Sequence, residues 1–596
     1  MNQTRIRNFS IIAHIDHGKT TLTDKMLSLT GLVGVREKKE RILDSNPIEQ
    51  ERGVTIKLAP VAMPFVSEGS GYQLNLIDTP GHVDFSYEVE RSLAACEAAI
   101  LLVDASQGVQ AQTMAHTYRA LDLGLTIIPV LNKIDLASAE VDRVKKELGE
   151  VFGFRSEEIS EVSAKTGMGV EQLLTRVIRE VPGPTGSSEQ RLRALVFNSV
   201  YDIHLGVIAF VRVMDGVLNQ ETQPYLMHTK KKIEIKELGV FSPSRKPVDE
   251  LTTGLVGYIA TGLKSVRDLS VGDTITSFSE WEKTTALPGY KQPKPTVYAD
   301  FYPAGTSSFK DLSAGVEKLK LSDAALQVRP VHSPVLGSGY QLGFLGVFHI
   351  EITKERLERE QGVETLLTNP TVEYKVSTTR GDELVIHNPN EMPDSTSIKL
   401  IEEPVVNLTI MTPEAYIGGV MDLLRSRRAI YRDTIHFGDR VQLKYKTPLA
   451  ELISGLFDRL KSVSKGFASL DYELAGFEPV DAAKLTIMLN YEEAIPLARI
   501  VVRQQAQQIG RKLVEEIKEL LPQHAFAVPI QAMVGGEVLA RETKSAFRKD
   551  VTAKLYGGDQ TRKDKLLKKQ KKGKKRLAQF GKVQIPDEVM TKLATV

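Results

Sequence analysis

Ala13-His14-Ile15-Asp16-His17-Gly18-Lys19-Thr20 follows a short apolar run, Phe9–Ala13, and precedes a stretch with helical spacing. It fits the pattern G-x-x-x-x-G-K-[ST], with Ala13 in place of the first glycine. Backbone N–H groups of Asp16, His17, Gly18, Lys19, Thr20 and Thr21 can wrap a pair of phosphates at a helix N-terminus, where the dipole favours anions. Gly18 lets the backbone come close, Lys19 reaches between the two outer phosphates, and the Thr20 hydroxyl is placed to hold Mg²⁺.

Outward from this loop, the first 180 residues alternate apolar strands with longer mixed segments. The strands read Phe9–Ala13, Leu74–Ile77, Ala98–Val103, Thr126–Leu131 and Ile159–Ser163, the pattern of a parallel sheet with crossover helices. Polar motifs stand just after the strand ends, where open α/β sheets bind ligands. Asp78-Thr79-Pro80-Gly81-His82 follows the second strand. Asp78 is placed to reach Mg²⁺ through water, Gly81 to offer its N–H to a γ-phosphate, and His82 to position an attacking water. Between the two motifs, Glu51-Arg52-Gly53-Val54-Thr55-Ile56 supplies Thr55 as a second Mg²⁺ contact, released when the γ-phosphate leaves. Asn132-Lys133-Ile134-Asp135 ends the fourth strand. The Asp135 carboxylate can accept from guanine N1–H and its exocyclic amine, donors that adenine lacks in that geometry. The Lys133 stem can cover the base, and in Ser163-Ala164-Lys165 the Ala164 N–H can bond guanine O6. One such tetrapeptide is a weak signal. Four in order, each after an expected strand, point to GTP and GDP with Mg²⁺.

The remainder of the 596 residues divides by composition. Val181 to Ser188 is a Pro/Gly/Ser linker closing an expected nucleotide domain over 1–185. Residues 190–285, rich in Val, Ile and Thr, read as a small β-barrel. Residues 293–370 and 400–480 each mix strands with one or two helices, and 485–596 forms a last segment. The expected fold class is therefore multidomain, α/β plus β-barrel plus α+β. The single cysteine, Cys96, excludes an internal disulfide, fits a reducing cytosol, and reads as a small buried core residue. No apolar run is long enough for a membrane span, and the N-terminus lacks a signal-peptide pattern.

Net charge is +2, but Arg541 to Lys582 holds 16 basic and 4 acidic side chains, a local +12 that leaves −10 for the rest. Such an end points to a polyanion, RNA or an anionic membrane surface. Arg562 to Arg576 has ten basic residues against one acid, too few apolar groups to pack alone, and is expected to be disordered or weakly helical.

Ala13–Thr21, Arg52–Ile56, Asp78–Phe85 and Asn132–Asp135 together resemble the GTPase domain of the translation factors. The resemblance implies that His82 is catalytic and is aligned by the sarcin–ricin loop of the ribosome, with Ile15 and Val54 as its apolar gate. Phe197-Asn198-Ser199-Val200-Tyr201 and Leu205-Gly206-Val207 resemble the start of the family's barrel. Glu403-Pro404, Met411-Thr412-Pro413-Glu414-Ala415-Tyr416 and Arg425–Arg428 resemble the fifth domain of elongation factor G. Between the two α+β segments, Pro370 to Glu403 is too short for that factor's tip domain. This layout resembles the elongation factor 4 (LepA-type) family, as do Leu287-Pro288-Gly289-Tyr290, Gly343-Phe344-Leu345-Gly346, Phe467-Ala468-Ser469-Leu470-Asp471-Tyr472 and Tyr556-Gly557-Gly558-Asp559. Departures are Val200, where the family usually has tryptophan, and Thr379–Asp394.

Membership would imply two ferredoxin-like α+β domains and a ribosome-stimulated GTPase that moves tRNAs back one step on stalled or mistranslocated ribosomes. It would also imply contact of the basic end with tRNA and rRNA, a monomer, and a cytoplasmic location with peripheral contact at the inner membrane face. Two readings stay open beside it. One is another ribosomal GTPase, a forward translocase or an assembly factor; the other is a non-catalytic RNA-binding protein with GTP as a structural ligand.

Overall fold

The computed structural model describes residues 3–32, 47–52, 55, 58–81, 83–289, 294–323, 325–334, 336–547 and 560–580. The readings made on His82, Val54, Tyr290 and Tyr556–Asp559 lie outside them.

The nucleotide domain is built on strands β1 (Ile6–Ala13), β2 (Ala59–Ser67), β3 (Ser70–Asp78), β4 (Ala98–Asp104), β5 (Thr126–Asn132) and β6 (Ser160–Glu161), in the order β2-β3-β1-β4-β5-β6. All neighbours are parallel except β2, an edge strand hairpinned onto β3 that the sequence reading did not anticipate. Every residue of β4 is buried, as a parallel strand covered on both faces requires. Alternation along β1 sends Phe9, Ile11 and Ala13 to one face, against helices α1 (Lys19–Leu29) and α6 (Val170–Glu180). Ile12 faces the other side, towards α3 (Ser86–Ala94), α4 (Ala111–Asp122) and α5 (Val141–Phe152). A short α2 (Pro47–Arg52) precedes Thr55.

An eight-stranded antiparallel β-barrel sheet follows, centred on Arg193–Asp202, Gly206–Asp215 and Val256–Ala260. Inward residues Ala194, Val196, Val207, Ala209, Val211 and Val213 make its core. Its seam with the nucleotide domain is apolar and contains Ile77, Ala95, Phe197, Phe210 and Tyr258. Cys96 is buried in that seam, and burial raises its thiol pKa, so it stays a neutral small hydrophobe. Arg212 crosses the seam, donating to the Ala95 carbonyl at 2.6 Å and pairing with Glu97.

The third unit runs Val297–Pro303, α7 (Phe309–Ser322), Gln327–Ser333, Gly337–Phe344, α8 (Val347–Gln361) and Thr365–Leu367. The last strand lies beside the first, which lies beside the third, and all pairs are antiparallel: the ferredoxin-like arrangement. The fourth unit repeats that order with Ile398–Pro413, α9 (Ile417–Arg425), Ile430–Phe437, Arg440–Pro448, α10 (Leu449–Ile453), α11 (Leu456–Val463) and Ser469–Pro479. A hairpin, Tyr374–Thr378 with Glu383–Ile386, extends its sheet along the start of the long first strand.

The last unit packs α12 (Ala506–Leu520) on a sheet containing Ala482–Leu489, Val528–Val534 and Glu537–Lys544. Helix α13 (Gln560–Phe580) then carries the basic run. That run is one continuous helix of 21 residues where disorder or weak helicity was expected. Lys, Arg, Gln and Leu are good helix formers, and the Lys574 Nζ donates to the Phe547 carbonyl at 2.7 Å. Among the described residues no helix is long and apolar enough to cross a membrane.

Candidate nucleotide site

The phosphate loop leaves β1 at Ala13 and enters α1 at Lys19. Its turn requires a left-handed Gly18, φ 91°, and a Cβ there would lie 2.5 Å from the Asn132 side-chain nitrogen. Asp16 is also left-handed at φ 65°, an uncommon setting for a non-glycine residue. The His17 side chain is buried behind the loop, where its Nδ1 lies 3.4 Å from both the Leu102 carbonyl and the Asp104 N–H. Burial, then the neighbouring His14, lowers its pKa to about 3, so the ring is neutral and Nδ1 can accept from Asp104. Thr20 is half-buried at the start of α1 and Thr21 is exposed.

Lys19 gathers the segments that carry Thr55 and Asp78. Its Nζ lies 2.9 Å from Asp78 Oδ1 and 3.2 Å from Thr55 Oγ1, and it also donates to the Thr79 carbonyl. Lys19 is 8% exposed and Asp78 fully buried, so the pair is shielded from water. The Thr79 hydroxyl donates to the Ile11 carbonyl at 2.8 Å and fixes the loop after β3 to β1. Gly81 is buried against Ile15: a Cβ on it would stand 3.8 Å from Ile15 Cγ1.

Asp78 Oδ2 is buried with no hydrogen-bond partner. Among the described residues no cluster of three His, Cys, Asp or Glu side chains could enclose a metal. An unpartnered carboxylate oxygen on a residue that shares Lys19 with the Thr55 hydroxyl suits Mg²⁺, which takes one or two protein oxygens and completes its shell with water and substrate phosphates. Thr20, Thr55 and Asp78 fit that ion.

Asn132 is a brace. Its Nδ2 donates to the His17 carbonyl at 2.9 Å, and its Oδ1 accepts the Ala164 N–H at 3.0 Å. The Ala164 N–H, assigned to guanine O6 from sequence, is thus engaged by Asn132. One amide joins the phosphate loop to the Ser163-Ala164-Lys165 loop. Lys133, left-handed at φ 63°, reaches back to the Asp16 carbonyl at 2.5 Å and pairs with Asp104 at 2.8 Å. Ile134 is half-buried and Asp135 exposed, at the rim beside that lysine. The Ser163 hydroxyl accepts the Thr166 N–H at 3.1 Å, which shapes the turn that leaves Lys165 exposed. Sequence reasoning missed Asp104; its signal was a carboxylate ending a fully apolar strand.

On α3, Glu88 accepts from the Leu58 N–H at 3.3 Å and the Tyr87 hydroxyl at 3.0 Å, tying the chain just after Thr55 to the helix beyond Asp78. Burial raises its pKa from 4.5 to about 7, against a lowering by Arg91. The folded state therefore binds more protons than the unfolded one between these values, and stability falls as pH rises through that window. Urea midpoints should be lower at pH 8 than at pH 5, and Glu88→Gln should shrink the difference. An undiminished difference in the variant would assign the pH dependence elsewhere.

Residues 4–183 match the family described as elongation factor Tu GTP binding domain, and 206–276 match elongation factor Tu domain 2. Residues 400–488 match elongation factor G C-terminus, and 489–595 match GTP-binding protein LepA C-terminus. The chain is 50% identical to elongation factor 4 of Thermosynechococcus vestitus over 98% of this chain and 97% of that one. Against elongation factor 4 of Acetivibrio thermocellus it is 50% identical, covering 98% of both, and against that of Bacillus subtilis 48%, covering 98% and 96%. A crystal structure from Thermus thermophilus superposes with TM-score 0.56 at 18% identity, covering 80% of this chain and 97% of that one, which supports the fold. With a phosphate loop, a GTPase domain, a translation-factor barrel and a LepA-type C-terminus in one chain, and half its residues shared end to end with such proteins, the chain belongs to the elongation factor 4 family of translational GTPases.

Proposed function

We propose that this enzyme hydrolyses GTP on the ribosome and uses the cycle to move tRNAs back one step on stalled or mistranslocated ribosomes. The observation that carries the reading is the meeting of Lys19, Thr55 and Asp78 at one buried point. Thr55 follows α2 and Asp78 ends β3, so a γ-phosphate beside Lys19 would hold both switch segments, and its loss would free them.

In this reading the N–H groups of Asp16 to Thr21 bind the phosphates, and Gly81 offers its N–H to the terminal one. Mg²⁺, held through Thr20 and Thr55 and by Asp78 through water, would neutralise charge developing on the phosphates. His82 orients the attacking water. Asp135 reads guanine at the exposed rim, while Asn132 keeps the phosphate and base loops in register. Helix α13 presents its lysines to tRNA or rRNA, with each neutralised phosphate releasing counterions. The enzyme works as a monomer in the cytoplasm.

The test is GTP turnover with and without ribosomes over a salt series. Ribosomes should raise turnover, and the increment should fade as salt rises. His82→Ala should bind GTP and show no ribosome-dependent increment. Toeprinting of post-translocation complexes should then show the ribosome shifted upstream by one codon. Turnover indifferent to ribosomes would end the ribosomal reading. Stimulated turnover without the toeprint shift would end the back-translocation role and leave a forward translocase or assembly factor. Equal binding of vesicles rich in anionic lipid and of ribosomes would move α13 to the membrane.

A further inference from the structure

Asp84 stands two residues after His82, in the single turn Val83–Phe85, and is 8% exposed. Two of its partners come from two other domains. Its Oδ2 accepts the backbone N–H of Phe348 at 2.9 Å, and its Oδ1 accepts the Tyr472 hydroxyl at 3.4 Å. Phe348 is the second residue of α8, whose own cap position is Gly346 and offers no side chain. Asp84 thus caps α8 from outside, satisfying an N–H that a helix cannot bond internally and placing a carboxylate at the positive end of its dipole. The glycine is required for space: a Cβ on Gly346 would run into the Asp84 carboxylate. Tyr472 belongs to the long last strand of the fourth unit, and burial, then Asp84, raises its pKa well above the usual range, so the phenol keeps the proton it donates.

The same helix also holds the other switch. Arg52 of α2 pairs with Glu351 at 2.7 Å and Glu355 at 3.1 Å, and Arg359 pairs with Glu51 at 2.6 Å. Ile48, Phe85 and Ile352 form a small apolar cluster beneath these pairs. Helix α8 is therefore gripped before Thr55 and after His82. The exposed and half-buried ion pairs are weak and adaptable, whereas the Asp84 contact is buried and directional.

We propose that Asp84 is a positioning residue for GTP hydrolysis: through the start of α8 and the Tyr472 hydroxyl it fixes the loop that carries His82, so the docking of the third and fourth domains sets the rate. In the sequence only Val83 separates the anchored residue from His82, so α8 is tied one residue away from the position that follows Gly81. The proposal rests on the ribosome-dependent reading given above. A partner that shifts these domains would thereby act on hydrolysis without touching the nucleotide.

The test is ribosome-stimulated turnover of the full-length protein and of Asp84→Ala, Asp84→Asn and Tyr472→Phe, with kcat and the KM for ribosomes determined separately. Asp84→Ala should lower kcat about tenfold, the scale of one hydrogen bond to a charged group, with little change in KM. Asp84→Asn keeps an acceptor for the Phe348 N–H and should fall between Asp84→Ala and the parent. Tyr472→Phe, which leaves the nucleotide domain untouched, should lower kcat about threefold. A parent protein that ribosomes do not stimulate would defeat the ribosomal reading and this proposal with it. A stimulated parent whose variants keep its kcat, or lose it only as far as KM rises or folding fails, would overturn the role of Asp84 alone.

Discussion

Replacing Lys19 by alanine is expected to weaken GTP binding roughly a thousandfold and to take hydrolysis below detection. The lysine is buried, and its ammonium is bonded at once to Asp78, Thr55 and Thr79. Its removal leaves Asp78, fully buried and with one oxygen already unpartnered, without the ammonium that pairs with it. Breaking a buried charge pair by deleting one member costs about 3–5 kcal/mol, which corresponds to roughly a hundredfold to several thousandfold in affinity. Lys19→Arg should not rescue it. A planar guanidinium cannot take the place of a compact ammonium among three acceptors in a closed pocket. Titration of a fluorescent guanine nucleotide measures the loss, with adenine nucleotide as control. A Lys19→Ala protein that binds GTP within a factor of ten of the parent would show that the buried contacts of Lys19 do not report its role at the phosphates.

The nucleotide fold was legible because its signals are local. A glycine in a loop that needs positive φ, a lysine and threonine at a helix start, and apolar runs ending in polar tetrapeptides all lie within a few residues of one another. The ferredoxin-like units and the LepA-type end came through resemblance, because alternating strands and helices of ordinary composition do not announce their pairing order. The edge strand Ala59–Ser67 escaped notice since Pro60 and Pro64 interrupt its pattern, and proline is tolerated there only because the strand has one neighbour. In the site, Lys19, Thr55 and Asp78 meet at one buried point. What sequence could not show is which groups hold them. Asn132 was read as part of a guanine motif, yet its side chain spans 32 residues to Ala164 and 115 residues to His17. Asp84 lies 264 residues from Phe348 and 388 from Tyr472. No periodicity in one chain encodes contacts at such separations. The basic run was misjudged in degree for a related reason: charge density argues against a packed core but says little against a solvated helix of lysines.

Arg440→Ala should undock the fourth unit from the nucleotide domain, lowering stability by about 3–5 kcal/mol. Arg440 is 4% exposed and donates to the Val109 carbonyl at 2.9 Å, the Gln110 side chain at 3.2 Å and the Gln107 carbonyl at 2.5 Å. Its Nε lies 3.6 Å from Glu147, itself 5% exposed and accepting from the Val109 N–H at 3.2 Å. Next to this contact the Ser469 hydroxyl accepts the Ala111 N–H at 2.8 Å. Alanine would leave several carbonyls and a carboxylate buried without the cation that satisfies them. The defect should depend on pH. Burial raises the Glu147 pKa from 4.5 to about 7, while Arg440 and Arg143 lower it. Without Arg440 the carboxyl moves higher still. The folded state then binds more protons than the unfolded one across the neutral range, and stability falls more steeply as pH rises. The variant should therefore lose more relative to the parent at pH 8 than at pH 6 in urea unfolding. Glu147→Gln added to Arg440→Ala should recover part of the loss at pH 8 by removing the charge rather than pairing it. The loop that Arg440 holds begins at Asp104, the partner of Lys133, so undocking should also speed release of a bound fluorescent guanine nucleotide. Arg440→Ala within about 1 kcal/mol of the parent at both pH values would mean that water or rearranged side chains replace the arginine, and that the seam is held by its apolar contacts instead.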